Sequence, residues 1–250
     1  MNVRVFRTAD EAAHAAAAAV AAQIARKRSS VLGLPTGRTS LEVYEELVRL
    51  HDDGLDFSRV HTFNVDEFVG LASTDERSYC AFMRQHLFSH INLPRSHVHF
   101  LDGQTGDHQK ECARFERDIV ARGGLDLLLL GIGGNGHIGF NEPSRSLPSR
   151  THRTRLALEP RRANASLFGG IIKNVPREAL TMGIGTMLEA RAILLIATGR
   201  PKARAVGSMF TGQISTGHPA SFLQLHPSVE IILDLGAAEK LSESGFDAKP

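Results

Sequence analysis

Residues Leu125-Asp126-Leu127-Leu128-Leu129-Leu130 run directly into Gly131-Ile132-Gly133-Gly134-Asn135-Gly136-His137-Ile138-Gly139-Phe140-Asn141-Glu142-Pro143, and the reading of this junction decides the fold. The leucine run is short, branched and almost uncharged, the pattern of a strand covered on both faces within a parallel sheet. Glycines at 131, 133, 134, 136 and 139 then permit left-handed backbone and close approach of the main chain to a ligand. One imidazole, His137, and one carboxylate, Glu142, are thereby offered at the carboxyl end of a central strand, where open α/β sheets bind their ligands.

Working outward, apolar runs at Val31–Leu34, Val60–Asn64, Ala192–Ala197 and Val229–Asp234 read as further strands, and helical patterns separate most of them. That alternation predicts right-handed crossovers and a modified doubly wound, mainly parallel α/β sheet with helices on both faces. In the helix expected from about Ser40 to Leu50, the residues Val43, Leu47 and Leu50 share one stripe, and Thr39 with Glu42 predicts a capping box. Thr8 with Glu11 predicts a second box, opening an alanine-rich surface helix, while Cys112, Phe115 and Ile119 mark a helix ending at Gly123-Gly124. With no internal repeat or composition break, residues 1–250 read as a single domain. The weakest pattern, between Pro143 and Ala179, predicts an excursion from the sheet with a lid segment at about 150–179.

Composition narrows the function. The chain is 42% hydrophobic and 22% charged, the balance of a soluble globular protein. A formal charge of +2, with no face where Lys and Arg interleave with aromatics, argues against nucleic-acid binding. The stretch Ala12–Ala25 is broken by His14 and Gln23 and falls short of the roughly 20 apolar residues a membrane span needs. Asp10-Glu11 precede it where a leader would be basic. Cys80 and Cys112 lie on expected helices, without metal-ligand spacing, and read as reduced residues of a cytoplasmic protein.

Four groups fall at one predicted sheet edge. Pro35-Thr36-Gly37-Arg38-Thr39 joins the first strand to a helix and would aim free N–H groups at a phosphate or carboxylate; a tight turn with nothing bound is the alternative. No Gly-Lys-Ser/Thr follows, so this is not a Walker motif. Asp66-Glu67, expected on a loop past the second strand, supply a candidate general base in Asp66, against a merely solvated acidic pair. His137 and Glu142 form the third group, the carboxylate able to hold the imidazole's tautomer. Lys202, after the strand ending at Ala197, is the fourth, where a surface charge is the alternative. Together they suit acid–base chemistry on a small phosphorylated molecule, with no metal or redox cofactor required.

Other patterns carry less. His86 and His90 are four apart on an expected helix but lack a carboxylate companion, so a polar face is the reading. His97 and His99 alternate on a short strand and are expected to face solvent. Gly131-x-Gly133 has no acidic residue at the distance a dinucleotide fold requires.

These residues resemble the glucosamine-6-phosphate deaminases, in a larger group that also holds galactosamine-6-phosphate deaminases and 6-phosphogluconolactonases. The resemblance spans Val31 to Asp234 and rests on Gly33-Leu34-Pro35-Thr36-Gly37, Thr62-Phe63-Asn64-Val65-Asp66-Glu67, Gly136-His137-Ile138-Gly139-Phe140-Asn141-Glu142-Pro143 and Leu223-Gln224-Leu225-His226-Pro227. It implies conversion of glucosamine 6-phosphate to fructose 6-phosphate with release of ammonia, in amino sugar catabolism and without a cofactor. By the same resemblance Asp66 moves a proton from C2 to C1, His137 opens the pyranose ring, Glu142 and Asn135 tune His137, and the Pro35–Thr39 loop with Lys202 holds the phosphate. The partner is a small hexosamine phosphate, and the resemblance leaves room for a homo-oligomer.

Three departures stand out. Asn135 is Asp in some relatives. Ser166 follows Ala163-Asn164-Ala165 where many relatives present a phosphate-binding Arg, which suggests that Arg38 reaches the phosphate instead. His152 and Thr154 replace basic residues of an activator site, so activation by N-acetylglucosamine 6-phosphate is not expected. The missing Arg and the Ser215–Phe222 stretch leave galactosamine 6-phosphate as an alternative substrate, and a non-catalytic sugar-phosphate sensor as an alternative of another class.

Overall fold

The computed structural model describes residues 1–241. In chain order the regular elements are β1 (Asn2–Phe6), α1 (Ala9–Arg26), β2 (Val31–Leu34), α2 (Arg38–Asp52), β3 (His61–Asn64) and β4 (Asp66–Phe68). There follow α3 (Tyr79–Met83), β5 (Val98–His99), α4 (His108–Ala121), β6 (Leu127–Gly131), β7 (His152–Arg155) and α5 (Leu158–Ala163). The last are β8 (Glu178–Thr181), α6 (Ile184–Leu188), β9 (Ile193–Ala197), α7 (Ala203–Ser208), β10 (Val229–Asp234) and α8 (Leu235–Ala238).

Seven strands form one parallel sheet in the order β1-β10-β9-β6-β2-β3-β5. The leucine run shows why β6 is central. Leu127 and Leu129 join a core with α1 and α2 on one face, whereas Leu128 and Leu130 join a second core with α4, α6 and α7 on the other. Period-two alternation therefore buries every side chain of the run. Because all strands are parallel, β9, β6, β2 and β3 end on the same edge, at Ala197, Gly131, Leu34 and Asn64.

Local signals fare unevenly. At α1, the Glu11 N–H donates to Thr8 Oγ1 at 3.1 Å, but the Glu11 carboxylate reaches back to the Arg7 N–H at 2.9 Å, one residue beyond the cap. The box expected from Thr39 and Glu42 does not form: α2 begins at Arg38, its cap is Gly37 and no side chain caps it. Thr39 lies inside the first turn, and Ser40 Oγ donates to the Gly37 carbonyl at 2.7 Å. His97 and His99 do not face solvent. Pairing of β5 with β3 lays His99 on Phe63, with ring centroids 4.4 Å apart, and His97 on His61, at 3.9 Å. His86 packs against Phe82 on the helical segment, whereas His90 lies past its end and bonds the Gln85 carbonyl at 2.8 Å, so the two do not share the helical face expected of them.

A second sheet, antiparallel and of order β4-β8-β7, stands beside the first. Asp66 of β4 and His152 of β7 both pair with Thr181 of β8. Hence the acids expected on a loop lie in a strand, and the excursion expected at 150–179 begins and ends as strand. Between β7 and β8 it carries α5 and two short helical turns, packed through Leu156, Ala165, Phe168 and Val175 on Phe68, Tyr79 and Phe140. Among the described residues no helix is long and apolar enough to cross a membrane. Both cysteines are free, Cys112 buried and Cys80 half-buried.

Candidate active site

The turn after β6 is built around His137. Gly136 has φ +87°, and a Cβ there would stand 2.1 Å from His218 Nδ1; a Cβ on Gly133 would stand 2.2 Å from the His137 ring itself. Only glycine admits this path, and the path brings the imidazole over the strand end. His137 Nδ1 lies 2.8 Å from Asn135 Oδ1 and 2.9 Å from Glu142 Oε1, while Asn135 Nδ2 donates to Glu142 Oε2 at 2.7 Å. Asn135 Oδ1 also accepts the His137 N–H at 3.1 Å. The result is a closed ring of three side chains that keeps a proton on Nδ1 and leaves the other nitrogen for a ligand. Burial pushes the Glu142 carboxyl upward, but its bonds to His137 and Asn135 outweigh that and hold it below the ordinary range.

Asp66 and Glu67, side by side in sequence, diverge in the fold. Strand alternation sends them to opposite faces of β4. Glu67 accepts from the N–H groups of Phe68, Tyr79 and Cys80 at 2.8, 3.0 and 2.9 Å, closing the amino end of α3. Even so, burial is the larger influence and raises its carboxyl to about 7. Asp66 is buried and makes no side-chain hydrogen bond or ion pair among the described residues. Desolvation first, and the charge of Glu67 second, push its pKa well above the usual carboxylate range. A desolvated carboxyl without a structural partner is the arrangement of a base poised for a ligand.

The remaining predicted residues ring the same edge. Leu34 accepts from Val65 N at 3.0 Å, joining the Pro35–Thr39 loop to the Asp66 segment. Tyr44 Oη donates to the Pro35 carbonyl, and Thr36 Oγ1 is buried without a partner. Gly37 and Thr39 are half-buried beside the exposed Arg38, which makes no side-chain bond or ion pair among the described residues. Gly139, two residues past His137, packs on Val65 and Thr181, which flank Asp66 in sequence and across β8. Both oxygens of Asp234 accept from Gly199 N at 2.9 Å and set the turn that carries Lys202. The half-buried Lys202 ammonium makes no side-chain bond among the described residues; desolvation lowers its pKa, and Glu159 pulls the other way.

Glu159 is the group the sequence did not disclose. It rides the first turn of α5, and donor atoms of Glu159, His137 and Glu142 all lie within 4.8 Å of one another. Such spacing would also suit a cation, although His137 Nδ1 already faces the oxygens of Asn135 and Glu142. No local pattern marks Glu159, because its place depends on the excursion folding back over the sheet edge. The Leu223–Pro227 motif, by contrast, is architectural: His226 bonds the Ala190 carbonyl through Nε2 at 2.7 Å and accepts from Ser228 N at 3.1 Å.

Known proteins resemble the chain over most of its length. Residues 6–231 match the family model described as glucosamine-6-phosphate isomerases/6-phosphogluconolactonase. The chain is 48% identical over 240 residues to a glucosamine-6-phosphate deaminase of Bacillus velezensis, covering 95% of this chain and 99% of that one. It is 45% identical over 239 residues to glucosamine-6-phosphate deaminase 1 of Giardia intestinalis, covering 95% and 90%. A solved monomeric glucosamine-6-phosphate deaminase of the NagB superfamily superposes with a TM-score of 0.93 at 42% identity, over 96% of this chain and all of that one. The 6-phosphogluconolactonase of Thermotoga maritima, at 19% identity and a TM-score of 0.74 over 93% and 98% of the two chains, shares the fold.

Proposed function

The chain belongs to the glucosamine-6-phosphate isomerase/6-phosphogluconolactonase family, and from that premise we propose that it is a glucosamine-6-phosphate deaminase, converting glucosamine 6-phosphate and water to fructose 6-phosphate and ammonia in the cytoplasm. The observation that carries the reading is the pairing, at one sheet edge, of an unpartnered buried carboxyl at Asp66 with an imidazole locked by Glu142 and Asn135. A sugar in its ring form has no acidic C2 proton, so the ring must open first. His137 has the free nitrogen for that exchange between the anomeric hydroxyl and the ring oxygen, and Glu142 holds the charge that develops on it. Asp66 then takes the C2 proton and returns it to C1, giving an enolamine intermediate and then a C2 imine that water hydrolyses with loss of ammonia. A cationic amine beside Asp66 favours the charged carboxylate and so opposes the desolvation that raises its pKa; substrate binding itself thereby favours the basic form.

Phosphate is held by the amides of the Pro35–Thr39 loop, by Lys202 and, in place of the absent Arg at Ser166, by Arg38, which stands exposed and unpaired at the first turn of α2. Release of ammonia from glucosamine 6-phosphate, compared with galactosamine 6-phosphate and repeated with Asp66→Asn, tests the reading. Equal inactivity of the native protein on both epimers would end it. Binding of either compound without turnover would favour a sensor.

A further inference from the structure

If the substrate is a hexosamine phosphate, it is a zwitterion, with a phosphate at one end and a protonated amine near the other, whereas the product has lost the amine. The site has a matching but lopsided charge pattern. Lys202 waits for an anion, and around His137 the carboxylates of Glu142 and Glu159 gather. Glu142 is committed to Asn135 and His137. Glu159 makes no hydrogen bond or ion pair within 4 Å among the described residues, and its charge is felt at Lys202 only from a distance. Its position is defined all the same. A Cβ on Gly134 would stand 3.3 Å from Glu159 Oε1 and 3.8 Å from the Pro201 carbonyl. The carboxylate therefore overhangs the gap between the His137 turn and the Lys202 turn, across which the sugar must lie.

We propose that Glu159 is a specificity-determining residue, whose carboxylate makes the site prefer phosphates that carry a cationic amine over those that do not. A phosphate arriving at Lys202 meets a like charge on Glu159, a repulsion that an amine on the same ligand cancels. The penalty falls on inorganic phosphate, neutral sugar phosphates and the deaminated product, which is thereby helped to leave. The excursion, as the carrier of Glu159, contributes discrimination as well as cover. This inference rests on the function proposed above, since it presumes an amino sugar phosphate in that gap.

Two unreactive open-chain analogues separate the charges: glucitol 6-phosphate and 2-amino-2-deoxyglucitol 6-phosphate. Their Kd values are measured by calorimetry on the native protein and on Glu159→Gln, which keeps the side chain's size. In the variant the preference for the amino compound is expected to fall about fivefold, the size of an exposed charge contact. Glucitol 6-phosphate and inorganic phosphate should bind more tightly than before. Glu159→Asp should keep the native preference. A misfolded excursion would weaken both analogues, so a common loss, or no change in their ratio, overturns the inference. A native protein that binds neither analogue overturns the proposed function and this inference with it, whereas binding with an unaltered ratio in Glu159→Gln overturns the inference alone.

Discussion

The His137 turn and the Asp66 strand face one another across the sheet edge, but they are built on opposite plans. Around His137 three side chains, Asn135, His137 and Glu142, hold one another within eight residues of chain, although Asn141 Oδ1 and Glu142 Oε1, the latter 2.9 Å from His137 Nδ1, are buried without a hydrogen bond among the described residues. Around Asp66 the polar atoms are left over: among the described residues the carboxyl makes no bond, and Thr36 Oγ1, Thr62 Oγ1 and both side-chain atoms of Asn64 are buried without hydrogen-bond partners. One region is largely finished by folding, and the other keeps most of its polar atoms unpaired among the described residues. Stability and reactivity are thus divided between neighbouring segments rather than traded within one.

The contrast is sharpest at Asp66. Asp66→Asn keeps shape but removes the base, and kcat should fall by about 10²- to 10⁴-fold, with melting temperature unchanged or raised because a desolvated acid has gone. A variant that retains native kcat would break the comparison at its root. Its neighbour should behave in the reverse manner. Glu67→Ala strips the acceptor from three N–H groups and should cost about 2–4 kcal/mol of unfolding free energy by urea titration. On the finished side, Glu142→Gln removes a charge-assisted bond of roughly 1.5–3 kcal/mol, so kcat should drop about 10- to 100-fold with KM little altered. A KM effect alone would show that Glu142 binds substrate rather than tuning His137.

The smallest effect is a pH dependence of stability. Burial, followed by the charge of Arg122, lowers His61 and His99 to about 4. The unfolded chain takes up those protons first on acidification, so these groups withdraw stability progressively from about pH 6.5 down to 4. Glu67, raised to about 7, has the opposite slope: the folded chain keeps a proton that the unfolded chain has released, and stability is lost as pH rises from about 4.5 to 7. His99→Gln should therefore tilt the urea midpoint, between pH 7 and pH 5, toward greater relative stability at the acidic end. Parallel pH profiles for variant and native protein would show that the histidine cluster carries no such linkage.

What the sequence revealed follows the same division. The leucine strand, the glycine turn and the Asn135–His137–Glu142 set are short-range, and composition and spacing disclose them. Asp66 was found as a residue but misplaced on a loop, because β4 exists only through pairing with β8, more than a hundred residues on. Glu67 could not be told from Asp66, since its role comes from the start of α3. The His61 stack was invisible because it needs β5 to lie beside β3. Thr39 misled because a helix capped by Gly37 has no need of the box its sequence spells.

The small antiparallel sheet carries one more implication. Asp66 and the first residue of β7 are both secured to Thr181 by backbone pairing, which is indifferent to side-chain identity. Positions between the two strands that do not pack on the Phe68 cluster, as Leu156, Ala165, Phe168 and Val175 do, can consequently vary while the Asp66 carboxyl stays in register. Selectivity in such a scaffold is an evolvable accessory, mounted on chemistry that does not have to be reinvented.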